Sequence, residues 1–243
     1  MTRRGTLYLL IVITHCMDNP VTTDNYHSLY KTEALPGKQN NYETAYREAA
    51  AKLSPITIGE IARRSGARVI ENGPGKALLL PFLGDEIAVS HPDISVSYHA
   101  RKDEVPLWVK ILNLHYLERA GGTAPRGEDI TFKQLEGGLG YYPAFERRCL
   151  TPLLEFFGND MERFMKTGTT AGGVPSTLGG HALCFRAFPH VEVTFILWKG
   201  DDEFPPSGSV VFDSSISDYL STEDVAVLCN MIAVRILKTT LPR

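Results

Sequence analysis

The sequence predicts an α+β fold, mainly antiparallel sheet packed with five or six helices in a single compact domain over residues 41–243. Three observations carry this. Short apolar runs between residues 67 and 98 are punctuated by Asn-Gly-Pro-Gly and Gly-Asp, the turn chemistry of a β-meander. Longer segments repeat their apolar residues at i, i+3, i+4 and i+7, the stripe of an amphipathic helix. The 243 residues are 43% hydrophobic, enough for one core, and neither an internal repeat nor a sharp linker divides them.

In chain order, residues 1–40 read as a leader or arm, disordered unless ordered by contact. Their start, MTRRGTLYLLIVITHC, faintly resembles a signal peptide, but His15 stands where a small residue is wanted and Met17 follows directly. A mis-called start or a leader is therefore expected over export. Tyr42, Ala45, Tyr46, Ala49, Ala50 and Leu53 form the first helical stripe. Ser54-Pro55 reads as the N-cap and first residue of a second helix to Arg64, stopped by Gly66. Strands follow at 67–71, 76–82, 86–90 and 94–98. Residues 105–119 form a well-buried helix with Trp108, Ile111, Leu112 and His115 on one face. Phe145, Cys149, Leu153 and Phe156 make another stripe, kinked or divided at Pro152 with Thr151 as cap. Asn159 and Glu162 are spaced as a capping box. A loop at 168–180 precedes strands 182–188 and 191–198. Ser221 and Asp224 box the last helix, whose body is apolar almost all round and so is expected to be buried on several sides.

Composition excludes several classes. A net charge of −3 and a pI near 6.2 leave no basic footprint for nucleic acid. No stretch reaches the roughly 18–20 apolar residues of a membrane span. Cys16, Cys149, Cys184 and Cys229 include no C-x-x-C, so this chain alone is expected to bind no Fe–S cluster or structural zinc. They read as buried free thiols of a reducing compartment, which points to the cytoplasm.

Residues 191–220 hold the densest chemistry: an apolar strand, an acidic run, Pro-Pro and a second strand. Asp201, Asp202 and Glu203 could bind a hard cation, or hold a cationic ligand beside Trp198 and Phe204; a solvated hairpin loop is the alternative. Tyr141, Tyr142, Arg147 and Arg148 could wall a flat, carboxylate-bearing ligand, since arginine pairs carboxylates and aromatic faces stack on rings. The glycines of 168–180 could cradle an anion through backbone N–H groups, although no phosphate-loop motif is present. His91, His99, His115, His181 and His190 are each able to serve as an axial ligand, but no two stand at i, i+4. No G-x-S-x-G elbow supports a nucleophilic serine.

From about residue 42 to 238 the chain resembles the prokaryotic family called domain of unknown function 3786. The resemblance rests on Ile111-Leu112 with Tyr116-Leu117, Gly-Gly-x-Gly-Tyr-Tyr-x-x-Phe at 137–145, and Leu178-Gly179-Gly180. It continues through Pro189, Trp198-x-x-Asp201-Asp202-Glu203-Phe204-Pro205, Phe212-Asp213-x-Ser215 and Leu220-x-x-Glu223-Asp224. The resemblance implies the anaerobic prokaryotes in which the family is mainly found. Some members carry a cysteine-rich Fe–S cluster domain; the four cysteines of this sequence include no such motif. The expectation is a ligand-binding or accessory domain of anaerobic redox or one-carbon metabolism. Its pocket, walled by Tyr141, Tyr142, Arg147, Arg148, His181 and the turn from Trp198 to Phe204, would hold a tetrapyrrole-like cofactor. One alternative is a metal-assisted or acid–base hydrolase using Asp201, Asp202 and Glu203. Another is an interaction module for a redox partner, an Fe–S or corrinoid protein.

Overall fold

The structure is a computed structural model that describes residues 36–73 and 75–240. Cys16 and the leader as far as residue 35 lie outside the described residues. The architecture is α+β with antiparallel sheets, as the sequence predicts. Backbone contacts group the chain into two compact units. The first runs to Leu80 and resumes over Glu86–Ala120; the second comprises Pro81–Asp85 and the chain from Gly121 onward.

In the first unit, helices α1 (Pro36–Leu53) and α2 (Ile58–Ser65) pack on α3 (Leu107–Arg119). Strands β1 (Arg68–Asn72), β2 (Gly75–Phe82), β3 (Asp85–His91) and β4 (Val96–Tyr98) lie in the order β1-β2-β3-β4. Leu53, Ile61, Leu114 and Leu117 are fully buried, and the Tyr116 hydroxyl donates to Ser65 O at 2.7 Å. The expected start of α2 moves. Thr57, not Ser54, is the N-cap, its Oγ1 accepting from Glu60 N at 3.3 Å. Ser54 instead lies in the turn after α1, its N–H donating to Ala50 O at 3.0 Å and its hydroxyl to Pro92 O at 2.9 Å. Gly66 closes α2 as expected, in the left-handed conformation at φ 72°. Strand β4 is shorter than predicted and excludes Ile94, whose carbonyl accepts from the Tyr46 hydroxyl at 3.2 Å.

The second unit is built on a five-stranded antiparallel sheet. Its strands are β5 (Asp129–Thr131), β6 (Val174–Ser176), β7 (His181–Phe188), β8 (Val191–Trp198) and β9 (Ser207–Asp213). They lie in the order β5-β9-β8-β7-β6, with Phe195 opposite Leu183 and Val210. Alternation sends Leu183, Phe185, Val193, Phe195, Leu197, Val210 and Phe212 to one face, where each is at most 2% exposed. Helices α4 (Gly138–Cys149), α5 (Thr151–Phe157), α6 (Met161–Thr170) and α7 (Thr222–Lys238) complete the unit. The predicted stripe is indeed divided, at Leu150, leaving Pro152 in the first turn of α5 where its missing N–H costs nothing. Helix α7 begins with the predicted capping box of Ser221 and Asp224. The cap of α6 is Asp160 rather than Asn159, with Asp160 Oδ1 accepting from Arg163 N at 3.0 Å.

The expected loop at 168–180 contains the end of α6 and strand β6. Its glycines serve close packing. A Cβ on Gly168 would stand 2.2 Å from Leu183 Cδ1, and one on Gly173 2.7 Å from Phe185 Cζ. The N–H groups of Gly172, Gly173 and Gly179 donate to Thr169, Gly168 and Thr177 carbonyls, so they are spent and form no anion cradle. The turn Leu83-Gly84 is tied into this unit by Leu83 N donating to Ala187 O at 3.0 Å. Arg235 reaches from α7 to hold the same turn, with Nη1 on Leu83 O and Nε on Ala171 O, both at 2.7 Å.

Candidate functional site

The predicted site residues fall into two groups, both in the second unit. Tyr141, Tyr142, Arg147 and Arg148 share α4. His181, Trp198, Asp201, Asp202, Glu203 and Phe204 gather where β7 begins, β8 ends and the β8–β9 loop crosses to Ser207.

On α4 three of the four side chains meet partners within the unit. Arg148 Nη1 donates to the Tyr141 hydroxyl at 2.9 Å, and the Tyr141 ring lies 6.1 Å from Phe132. Lys133 Nζ covers the Tyr142 ring at 4.0 Å from its centroid. Burial, then the charge and hydrogen bond of Glu146, push the Tyr142 phenol up to about 12. Tyr141, Tyr142 and Arg148 thus each have a contact within the unit, although Arg148 Nε is buried without a hydrogen bond. Arg147 alone of the four is exposed.

The second group forms a built rim. Trp198 closes β8 on the sheet face opposite Leu197, beyond the buried Ile196 and Thr194, and stays 40% exposed. Its indole rests on the turn that precedes β7: a Cβ on Gly180 would stand 2.9 Å from Trp198 Nε1 and 2.8 Å from Leu197 O. Gly180 also has φ +51°, so glycine is needed there for both conformation and clearance. Leu178, two residues before Gly180, is 42% exposed, and Phe204 in the β8–β9 loop is 67% exposed.

The β8–β9 loop has a fixed shape. Asp201 N donates to Phe204 O at 2.9 Å, while Asp201 Oδ1 accepts from Glu203 N and Phe204 N at 2.9 and 2.8 Å. Those N–H groups hold the Asp201 carboxyl below the usual carboxylate range. The loop base is wedged at Pro206, where a Cβ on Gly200 would come within 2.7 Å and one on Gly158 within 2.8 Å. Asp202 and Glu203 are exposed, and their side chains make no hydrogen bond or ion pair among the described residues. The acidic run is thus one turn-capping aspartate and two solvated carboxylates. Among the described residues no three His, Cys, Asp or Glu side chains are grouped to hold a metal ion. His181 is exposed at the first position of β7, and His190 lies at the other end of that strand, stacked on Tyr219 at 5.4 Å.

Leu178 escaped the sequence reading as a surface residue. The available signal was an apolar side chain isolated in a Gly- and Ser-rich turn, with no period to assign it to a core. Asp213 has a different office from the acids of the rim. Oδ1 accepts from Arg126 N at 3.0 Å and Ser215 N at 2.9 Å, and Oδ2 from Gly127 N at 2.7 Å. Arg126 itself donates to Ser214 O at 2.7 Å and pairs with Asp218 at 2.6 Å. This knot fastens residues 126–127 to the end of β9.

No curated protein and no solved structure matches the chain. A family model does match, over residues 57–235, well over half of the 243 residues and including the whole of the rim. The chain belongs to that family, the domain of unknown function DUF3786.

Proposed function

We propose that this protein is an interaction module whose docking surface is the rim of Trp198, Phe204 and Leu178. The observation that carries the reading is an aromatic side chain 40% exposed and packed close to a glycine whose φ of +51° and tight clearance disfavour any other residue. Interface hot spots are enriched in such tryptophans, and a pre-shaped loop lowers the ordering cost of binding. Phe204 at 67% exposure and Leu178 at 42% widen the apolar contact. A hydrolytic use of Asp201, Asp202 and Glu203 finds less support, because Asp201 is spent on its own turn and the other two face solvent. A tetrapyrrole wall on α4 is likewise less favoured, since Arg148 is engaged by Tyr141 and Tyr142 by Lys133. The family resemblance makes an Fe–S or corrinoid protein the first partner to try.

The test is site-specific photo-crosslinking in the native host. A photoreactive residue at position 204 is compared with one at position 129, whose strand β5 pairs with the far end of β9. The expected result is a discrete product at 204 that is missing at 129 and lost with Trp198→Ala. Identical products at both positions would refute the docking surface.

A further inference from the structure

The rim also carries a sign. Three carboxylates, those of Asp201, Asp202 and Glu203, stand in the loop against the single ammonium of Lys199. Asp201 Oδ1 accepts two backbone N–H groups, which favour its charged form. Asp202 and Glu203 make no internal ion pair among the described residues, although ion pairs occur elsewhere on the surface, as between Arg186 and Glu192 at 2.7 Å. The turn that presents them is cross-linked by hydrogen bonds and wedged at Pro206, so the two charges are displayed beside Phe204 from a fixed frame. A rigid loop with unneutralised acids next to an exposed indole suits a cation in two ways. The ring face attracts it through its quadrupole, and the carboxylates attract it by charge.

Resting on the docking reading above, we propose that the partner is a protein segment that offers lysine or arginine beside apolar side chains. The cation sits over Trp198, and Phe204 and Leu178 take the apolar contacts. Asp202 and Glu203 steer the approach and set its orientation, which is what charges at an interface rim do best. An acidic segment would meet the like charges of Asp202 and Glu203 and is disfavoured by repulsion.

The experiment titrates the full chain with two fluorescent amphipathic peptides of identical apolar sequence. One carries lysine and arginine at its polar positions and the other glutamate; binding is read by anisotropy at two ionic strengths. The basic peptide is expected to bind at least about tenfold more tightly at low salt, with the advantage shrinking as salt screens it. The variant carrying Asp202→Lys and Glu203→Lys should reverse the preference, and Trp198→Ala should weaken the basic peptide most. Equal binding of the two peptides, preference for the acidic one, or binding of neither would overturn the proposal. If the crosslink at position 204 persists in any of those cases, the docking surface stands and only the basic character of its partner falls. If the crosslink also fails, both fall.

Discussion

Replacing Asp213 separates a structural role from a chemical one. Its carboxylate accepts three backbone N–H groups, from Arg126 at 3.0 Å, Ser215 at 2.9 Å and Gly127 at 2.7 Å. Asp213→Asn keeps the acceptor on one oxygen but turns an amide N–H₂ toward the Gly127 donor. One hydrogen bond then becomes a donor–donor clash and the others lose their charge assistance. At roughly 1–3 kcal/mol for each charge-assisted bond lost, about 2–3 kcal/mol of stability should go. Asp213→Ala, which leaves all three donors to solvent, should cost about 3–4 kcal/mol on the same scale. Burial works against the charge here, but the Ser215 hydroxyl and the N–H groups of Arg126, Ser215 and Gly127 outweigh it and hold the carboxyl well below its ordinary range. A depressed folded pKa adds stability that is complete above the unfolded value, about 3.9, and is lost as pH falls below it. The gap between wild type and Asp213→Asn should therefore be full at neutral pH and shrink below about pH 4. Urea unfolding followed by circular dichroism across that range reads both quantities. A neutral-pH difference under about 0.5 kcal/mol, or one that persists unchanged in strong acid, would refute the argument.

Other expectations are equally specific. Arg235→Ala should cost about 2–4 kcal/mol, because it removes two guanidinium bonds of 2.7 Å and leaves the Ala171 and Leu83 carbonyls without them; thermal denaturation checks this, and a loss below 1 kcal/mol would show that the turn is held by other contacts. Trp198→Ala should cost about 2–3 kcal/mol, below a core tryptophan because the residue is 40% exposed. Gly180→Ala should shift Trp198 emission as well as destabilise, since the new Cβ would stand 2.9 Å from the indole nitrogen; unchanged emission would mean that the seat is not needed. Among the described cysteines, Cys184 should be alkylated first in the native protein. Burial raises the thiols of Cys149 and Cys229, which are 1% and 0% exposed, and both should react only on unfolding, as peptide mass mapping would show.

Features fixed by a few neighbouring residues were readable in advance. The capping box of α7 needs only Ser221 and Asp224, and the left-handed close of α2 needs only Gly66. Seven of the nine strands described follow from apolar runs between turn residues, whereas the three-residue strands β5 and β6 were too short to carry such a run. Cap positions shifted by one to three residues: Ser54 stays in the turn after α1 while Thr57 caps the next helix, and Asp160 rather than Asn159 caps α6. The glycines of 168–180 look like an anion loop until Leu183 and Phe185 come close enough to require them.

The candidate site divides along the same line. Trp198, the acids and Phe204 stand out as a group in the sequence because they are contiguous. Their separation from Tyr141, Tyr142, Arg147 and Arg148 is decided by how α4 and the β8–β9 loop are placed in the second unit. Period two puts Trp198 on the face opposite Leu197, but it cannot say whether that face is covered. What the sequence by itself determined is the class of fold, the position of its elements and the family. The tertiary structure alone decided that an acidic run is one turn cap and two solvated charges, that a glycine motif seats an indole, and that an arginine on the last helix pins a hairpin turn. The physical reason is that strand and helix pattern are local properties of the chain, whereas exposure and hydrogen-bond satisfaction depend on which distant atoms arrive first.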